Sequence, residues 1–147
     1  MLEAIGLTKR YEDGELALDG LTFKVEPGEI FCMFGANGAG KTTTINLFLN
    51  FIPATSGQAL IEGIDVGRDP LQAKRHVSFV SENVMLYGNF TAVQNLDYFS
   101  RLAGKRGLAK KDYAVVLDRV GLQKEAFDRR VKNFSKGMRQ KLGIAIA

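Results

Sequence analysis

The sequence is poor in the residues that form covalent cross-links and metal cages, because its 147 residues include one cysteine and one histidine. A single cysteine cannot form an internal disulfide, and Cys32 with His76 is too small a set for a structural zinc site. No apolar run approaches the ~20 residues of a membrane-spanning helix, and the N-terminus has no signal-peptide pattern. We therefore expect a cytoplasmic location, with Cys32 as a small buried core residue.

Basic residues are concentrated in the last third of the chain. Residues 1–100 contain 7 Lys and Arg against 12 Asp and Glu, whereas residues 101–147 contain 13 against 4. A basic surface is typical of proteins that bind nucleic acid or face a membrane, although solvated helices also carry such charge. No recognition motif and no ladder of aromatic residues accompanies these cations. The pattern therefore favours a solvated helical surface, and no nucleic-acid partner is expected.

The most specific pattern is Gly-Ala-Asn-Gly-Ala-Gly-Lys-Thr at residues 35–42, which fits the phosphate-binding pattern G-x-x-x-x-G-K-[ST]. Glycines let successive N–H groups turn towards one anion, and a following helix adds its own free N–H groups. We expect Lys41 to reach the β- and γ-phosphates and the Thr42 hydroxyl to bind Mg²⁺. The residues expected to contact a nucleotide here are Gly35, Asn37, Gly38, Ala39, Gly40, Lys41, Thr42 and Thr43.

The segments on either side of this loop have the patterns that such a site requires. Residues 30–34 form a short unbroken apolar run, which predicts a strand buried on both faces. After the loop, apolar residues recur at helical spacing, at Ile45, Phe48, Leu49 and Ile52. A strand, a glycine loop and a helix in this order predict a site for the phosphates of a nucleotide.

Further elements are predicted around this loop. Alternating apolar residues over 21–25 predict a half-buried strand, bounded by turns at Asp19-Gly20 and Pro27-Gly28. Weaker patterns predict strands at residues 2–7, 58–62 and 77–80, and a short helix at residues 70–75.

From about residue 90 the periodicity becomes that of helices. Thr91 and Gln94 have the spacing of a capping box, and Gly104 is expected just beyond the end of that helix. A second helix is predicted around residues 113–120, and Ser135 is predicted to cap a third. The chain therefore divides into a sheet lobe and a small helical lobe.

The phosphate loop together with residues 133–138, Asn-Phe-Ser-Lys-Gly-Met, resembles an ATP-binding cassette (ABC) ATPase over essentially the whole chain. The second segment is similar to the family signature, usually Leu-Ser-Gly-Gly-Gln. Ser135 and Gly137 are kept, whereas Lys136 and Met138 differ. This variant is similar to one found in exporters of drugs, polysaccharides and ions.

The resemblance implies an α/β fold of the P-loop NTPase type. We expect its mixed-sheet lobe, antiparallel in the N-terminal part, over residues 1–89 and its helical lobe over residues 90–147. Relatives continue into a strand with the Walker B aspartate, a catalytic glutamate and a switch histidine, to which His76 does not correspond. We therefore expect a cassette truncated before Walker B, able at most to bind ATP and Mg²⁺.

The resemblance also implies roles for four residues outside the phosphate loop. In the family the signature contacts ATP held by a second cassette in a head-to-tail dimer, which implies nucleotide binding by Ser135 and Gly137. Tyr11 falls where the family places a ring that stacks on adenine, although a packing role is equally open. Glu82 falls at the Q-loop glutamine near the metal. An ionised carboxylate cannot donate a hydrogen bond, so a catalytic or metal-binding Glu82 and a solvated turn residue both stay open.

The resemblance implies the ATP-binding subunit of a membrane exporter, powered by ATP hydrolysis and partnered by a transmembrane permease subunit. Such a subunit is peripheral to the cytoplasmic face of the membrane. Two alternatives stay open, namely a soluble ABC protein that acts on ribosomes or nucleic acid, and a non-catalytic nucleotide-binding module. Because selectivity in this family belongs to the membrane subunits, the sequence predicts no transported substrate.

Overall fold

The computed structural model describes all residues from Met1 to Ala147, and these form two compact units, Met1–Ser78 and Phe79–Ala147. The division lies before the lobe boundary predicted after residue 89, and the functional division into 1–89 and 90–147 stays a prediction. No helix is both long enough and apolar enough to cross a membrane.

The N-terminal unit is built on a four-stranded antiparallel sheet in the spatial order β2-β1-β3-β4. One face of the sheet packs against the helices, and the buried side chains at this contact include Ala4, Leu7, Ile61, Leu47 and Phe48. The predicted antiparallel N-terminal part is therefore present. The elements of this unit are β1 (Leu2–Arg10), β2 (Leu16–Val25), α1 (Lys41–Phe48), β3 (Ser56–Ile61), β4 (Ile64–Asp65), α2 (Pro70–Ala73) and a 3-10 turn (Lys74–His76).

The predicted turn at Asp19-Gly20 lies inside β2, so this boundary was wrong. Gly20 has φ 58° and its N–H donates a 2.9 Å hydrogen bond to Thr8 Oγ1. The register between β1 and β2 shifts at this point. A left-handed residue beside a register shift forms a bulge, which bends a strand without ending it.

Two apolar runs for which the sequence predicted strands, of which the first was predicted to be buried, belong to no strand in the structure. In residues 30–34, Ile30 and Phe34 are 95% and 91% exposed, and Cys32 is exposed rather than buried. A strand requires a neighbouring strand for its N–H and C=O groups. The strand pairs of the sheet are β1–β2, β1–β3 and β3–β4, and none of them includes residues 30–34. The second run, residues 77–80, is likewise outside the sheet. The apolar pattern indicates a preference for burial, but it does not indicate whether another strand is available to pair with the segment.

The second unit is helical, and local hydrogen bonds define the ends of its helices. Thr91 and Gln94 form the predicted capping box, with Gln94 N donating to Thr91 Oγ1 at 3.1 Å and Thr91 N to Gln94 Oε1 at 2.9 Å. Gly104 follows the helix end with φ 79°, as predicted. The helices are α3 (Ala92–Leu102), α4 (Lys110–Arg119) and α5 (Lys136–Ile146), with 3-10 turns at Lys124–Ala126 and Val131–Asn133.

Two polar contacts, of which the first is fully buried, link elements within the helical unit. Asn95 is fully buried on α3, accepts from Tyr87 N at 2.9 Å and donates to Tyr87 O at 3.1 Å. The Tyr113 hydroxyl on α4 donates to Asp97 Oδ1 at 2.8 Å, and Arg101 Nε lies 2.9 Å from Asp97 Oδ2. The hydrogen bond from Tyr113, followed by that from Arg101, lowers the pKa of Asp97. Helix α3 is thereby linked both to α4 and to the segment that precedes it.

Candidate functional site

Residues 35–40 form a largely exposed loop that leads directly into helix α1. Gly38 and Gly40 have φ angles of 86° and 81°, which L side chains rarely adopt. Ala39 N donates to Ala36 O at 3.2 Å and closes a tight turn over residues 36–39, which contains Gly38. The loop therefore curls on itself, which is the backbone shape that a phosphate-binding loop requires.

Gly40 also lies against the backbone of strand β2. A Cβ atom at this position would lie 2.7 Å from the Ala17 carbonyl oxygen and 3.1 Å from Leu18 Cδ1. Backbone atoms cannot give way as a flexible side chain can, so both the φ angle and the contact require glycine. The sheet thus sets the position of the last loop residue before α1.

The Lys41 ammonium group folds back over the loop. Its Nζ donates to Gly35 O and Ala36 O, both at 2.7 Å. An ammonium group has three N–H donors, so one remains beyond these two contacts. The cation is therefore held beside the first turn of the loop by neutral carbonyl oxygens, which an anionic oxygen can replace with a stronger, charge-assisted bond.

Helix α1 begins with open backbone donors. Its N-cap is Gly40, and no side chain accepts a hydrogen bond from the first turn. The first hydrogen bond within the helix runs from Thr44 N to Gly40 O at 2.8 Å, which leaves the N–H groups of Lys41, Thr42 and Thr43 without an acceptor. Thr42 is exposed in the same turn. Open N–H groups, the positive end of the helix dipole and a nearby cation favour a phosphate at a helix start, and its binding here stays a prediction.

The remaining predicted loop contacts are accessible, since Asn37 and Ala39 are exposed and Thr43 is half-buried. Tyr11 begins the connection between β1 and β2, where Tyr11 N donates to Glu15 O at 2.9 Å. Its ring is exposed, and Lys9 Nζ lies 5.3 Å from the ring centroid. Stacking of this ring on adenine stays a prediction.

Ser135 and Gly137 lie at the start of α5. The Ser135 Oγ accepts a hydrogen bond from Met138 N at 3.3 Å, which makes this serine the N-cap of the helix. The hydroxyl proton stays available, because an accepting oxygen still carries its own O–H donor. Both residues are exposed, and no atom lies within 4 Å of a Cβ placed at Gly137. Their contact with a nucleotide stays a prediction.

Glu82 contacts the helix that carries the signature residues. Its Oε1 lies 3.8 Å from Lys136 Nζ, and its backbone oxygen accepts from Gln140 Nε2 at 2.6 Å. No group of three or more Asp, Glu, His or Cys side chains is arranged to hold a metal ion. Sequence reasoning did not connect Glu82 with Lys136 or Gln140. The signal was present, because Glu82 and Lys136 are two departures from the family pattern with opposite charges.

Comparison with known proteins identifies relatives over the whole chain. Residues 18–147 match the family described as ABC transporter. The linearmycin resistance ATP-binding protein LnrL of Bacillus subtilis (strain 168) is 35% identical over 148 residues, which cover 100% of this chain and 47% of LnrL. The doxorubicin resistance ATP-binding protein DrrA of Mycobacterium tuberculosis (strain CDC 1551 / Oshkosh) is 36% identical over 142 residues, covering 95% of this chain and 43% of DrrA. The chain thus spans less than half the length of these curated relatives.

A solved structure, described as the ATP binding subunit of an ABC transporter, has the same fold. It aligns with a TM-score of 0.83 and 28% sequence identity, covering 100% of this chain and 61% of that chain. The fold class predicted from the sequence is therefore confirmed.

Proposed function

The chain belongs to the ABC transporter family, and we propose on this basis that it is the ATP-binding part of the motor of a membrane exporter. The observation that carries the proposal is the phosphate loop, over which the Lys41 ammonium folds and after which the open N–H groups of α1 follow. The names of LnrL and DrrA describe resistance to linearmycin and doxorubicin, which supports export rather than uptake.

In the proposed site, ATP binds through its phosphates. Lys41 exchanges its two carbonyl acceptors for oxygens of the β- and γ-phosphates, and the N–H groups of Thr42 and Thr43 donate to the same oxygens. Asn37 and the loop glycines line the curve around the phosphates, and Tyr11 stacks on adenine. The triphosphate is favoured over adenosine alone, because most of the donors are directed at anionic oxygen.

Magnesium is proposed to accompany ATP, and the Thr42 hydroxyl is the group that would hold it. The hydroxyl is exposed in the first turn of α1 and is of the oxygen type that this cation prefers. With few protein ligands nearby, the phosphates themselves would supply other ligands. When bound there, the cation would neutralise negative charge on the phosphates. Binding of ATP and Mg²⁺ is the activity that we propose for these 147 residues, and hydrolysis of ATP to ADP and phosphate rests on membership of the ABC transporter family.

Two partners follow from the proposal. A transmembrane permease subunit places the protein on the cytoplasmic face of the membrane and provides the path for the exported substrate. A second cassette, in head-to-tail arrangement, presents its Ser135 hydroxyl and Gly137 N–H to the γ-phosphate held at the first loop. Both groups are exposed at a helix start, as this contact requires.

Titration calorimetry of the 147-residue chain with ATP, ADP, AMP and adenosine tests the proposal. We expect affinity to fall in this order and to depend on magnesium for ATP. Equal affinity for ATP and adenosine would remove the phosphate loop from the site. Filter binding of RNA over a salt series tests the nucleic-acid alternative, since several phosphate contacts cause a steep loss of affinity with salt.

A further inference from the structure

The segment that contains Glu82 lies along one face of α5, and contacts at three helix positions hold it there. Lys136 and Gln140 contact Glu82, and Gly143 contacts Val84. Positions 136, 140 and 143 are spaced i, i+4 and i+7, which places them on one face of a helix. We call residues Ser81 to Val84 the strap.

The first contact joins two residues that each depart from the family pattern. Glu82 stands in place of a neutral glutamine and Lys136 in place of a glycine, and their charged groups are 3.8 Å apart. The two side chains are 83% and 76% exposed, so the pair is weak in water and is screened by salt. The pair therefore contributes orientation more than stability.

The second contact is neutral and short. Gln140 Nε2 donates to the backbone oxygen of Glu82 at 2.6 Å, and the Ser81 hydroxyl donates to Asn83 O at 2.8 Å within the strap. The backbone oxygen is bound irrespective of which side chain occupies position 82. This contact holds the strap to α5, and the charge pair sets the direction of the Glu82 carboxylate.

The third contact is a close approach of a side chain to the helix backbone. A Cβ atom at Gly143 would lie 2.8 and 2.9 Å from the two methyl groups of Val84 and 3.4 Å from its Cβ. Valine is restricted in χ1 and cannot turn its methyl groups away freely. The strap can lie this close to α5 only because position 143 is glycine.

The segment is also fixed beyond the strap. Tyr87, three residues after Val84, has both its N–H and its C=O bound by the fully buried Asn95 of α3. The chain from Ser81 to Tyr87 therefore connects α5 to α3 through defined contacts at both ends.

We propose that Glu82 is a positioning residue, which orients the start of α5 through the strap and Lys136. This inference rests on the function proposed for Ser135 and Gly137, which flank Lys136. Gln140 holds the strap to α5, and the charge pair orients Lys136 in the turn of α5 that presents these two residues to the ATP of a second cassette. Glu82 and Lys136 act together, so that either charge without its partner orients the start of α5 less well than the pair does.

Backbone order parameters from NMR relaxation test whether the strap exists in the 147-residue chain. In Gly143→Ala, the added methyl displaces Val84, and the order parameters of residues 82–84 should fall from about 0.85 to below about 0.6. Gly137→Ala is the matched control, because it is on the same helix in open space and should leave them unchanged. Val84→Ala in the Gly143→Ala background should restore order. Equal order parameters for residues 82–84 in Gly143→Ala and Gly137→Ala would show that the strap is not held against α5.

A double-mutant cycle tests the charge pair. Glu82→Lys and Lys136→Glu should each lower the equilibrium ratio of folded to unfolded protein. In the combined variant at low salt, this ratio should be about two- to fivefold higher than the two single losses together predict. The recovery should vanish at high salt, which a packing contact would not do. A combined variant that simply adds the two single losses at low salt would overturn the pairing.

ATP-dependent self-association separates positioning from mere structure. In Lys136→Glu, ATP affinity at the phosphate loop should match the parent. In each single charge variant, the dimer dissociation constant with ATP should rise about two- to fivefold, and it should recover in the combined variant. Sedimentation velocity measures the dimer and calorimetry measures ATP affinity. An unchanged dimer constant in both single variants would overturn the positioning role. Complete absence of ATP binding in the parent would instead refute the proposed function, and the first two experiments would still decide the strap and the pair.

Discussion

Helices α1 and α5 begin in opposite ways, although the proposed function places a phosphate at both. At α1 the N-cap is Gly40 and no side chain accepts from the first turn. At α5 the Ser135 oxygen accepts from Met138 N. One helix therefore leaves its first amides open, and the other binds one of them with its own residue.

The difference between the two helix starts indicates which of them depends on a bound ligand for its stability. Backbone amides without an acceptor, at the positive end of a helix dipole, lower the stability of the folded chain, and a bound anion removes this cost. The α1 terminus should therefore gain much stability from ATP, whereas α5 is complete as a structural element without it. In the proposed complex, the loop supplies most of the affinity and the signature residues add to it only in a dimer.

The largest expected effect comes from Gly40→Ala, which tests the rigidity of the loop end. The change adds the cost of a left-handed alanine to a 2.7 Å contact with the Ala17 oxygen, and should lower the free energy of unfolding by about 3 kcal/mol. Urea denaturation measures it. Gly28→Ala is the control, with φ 85° and open space, and should cost about 1 kcal/mol. Equal losses would mean that the loop does not depend on its contact with β2.

Magnesium ATP should stabilise the chain and should do so mainly at α1. At about a hundred times the dissociation constant, ligand binding adds roughly 2.7 kcal/mol to the free energy of unfolding. Hydrogen exchange should slow at the amides of Lys41, Thr42 and Thr43, which have no acceptor in the free chain. Under monomeric conditions, the start of α5 should be unaffected. Slowing of the same size at both helix starts would contradict the contrast between them.

The elements that the sequence predicted correctly are those defined by short-range contacts. The capping box of Thr91 and Gln94, the Ser135 cap and the end of α3 before Gly104 each involve residues at most a turn or two apart. Such contacts are encoded in consecutive letters and form wherever the helix forms. The same reasoning explains why the curl of the phosphate loop was predictable.

The elements that were wrong depend on distant partners. Residues 30–34 have the composition of a buried strand, but no strand of the sheet pairs with them. The contacts of Glu82 were missed for a related reason, since Lys136 and Gln140 follow it by more than fifty residues. Pairing across such distances leaves no periodic trace in one sequence. Only the opposite signs of two unusual residues pointed to it.

Lys41→Ala should reduce ATP affinity without a comparable loss of stability. The ammonium group contributes a charge-assisted contact of about 1.5–3 kcal/mol, which is roughly ten- to a hundredfold in the dissociation constant. Lys24→Ala is the control, because Lys24 is a cation of the same unit that pairs with Glu26. Calorimetric titration compares the two. An unchanged affinity in Lys41→Ala would remove this cation from the site and leave α1 no different in kind from α5.

Ser135→Ala should have the opposite effect to Lys41→Ala, since it should reduce stability and leave ATP affinity unchanged. Loss of the N-cap should cost about 1 kcal/mol of stability, while ATP affinity of the monomeric chain stays the same. Ser135→Thr keeps a capping hydroxyl and is the control. A loss of monomer ATP affinity in Ser135→Ala would place this serine at the chain's own nucleotide, contrary to the head-to-tail arrangement.

The smallest expected effect is an acid sensitivity confined to the helical unit, where the Tyr113 hydroxyl and Arg101 lower the pKa of Asp97. A carboxyl whose folded pKa is depressed stabilises the protein above its unfolded value, about 3.9, and this contribution is lost as pH falls through the folded pKa. Asp97→Asn should therefore lower the melting temperature at pH 7, with the difference shrinking below about pH 4.

Thermal unfolding from pH 7 to pH 3 measures this effect. Tyr113→Phe keeps Arg101 and removes the larger cause of the shift, so it should reproduce most of the Asp97→Asn difference. Neither change should alter the ATP affinity of the monomeric chain, because Asp97 and Tyr113 lie in the helical unit and the phosphate loop lies in the other unit. A constant difference down to pH 3 would show that Asp97 stabilises this unit by packing rather than by charge.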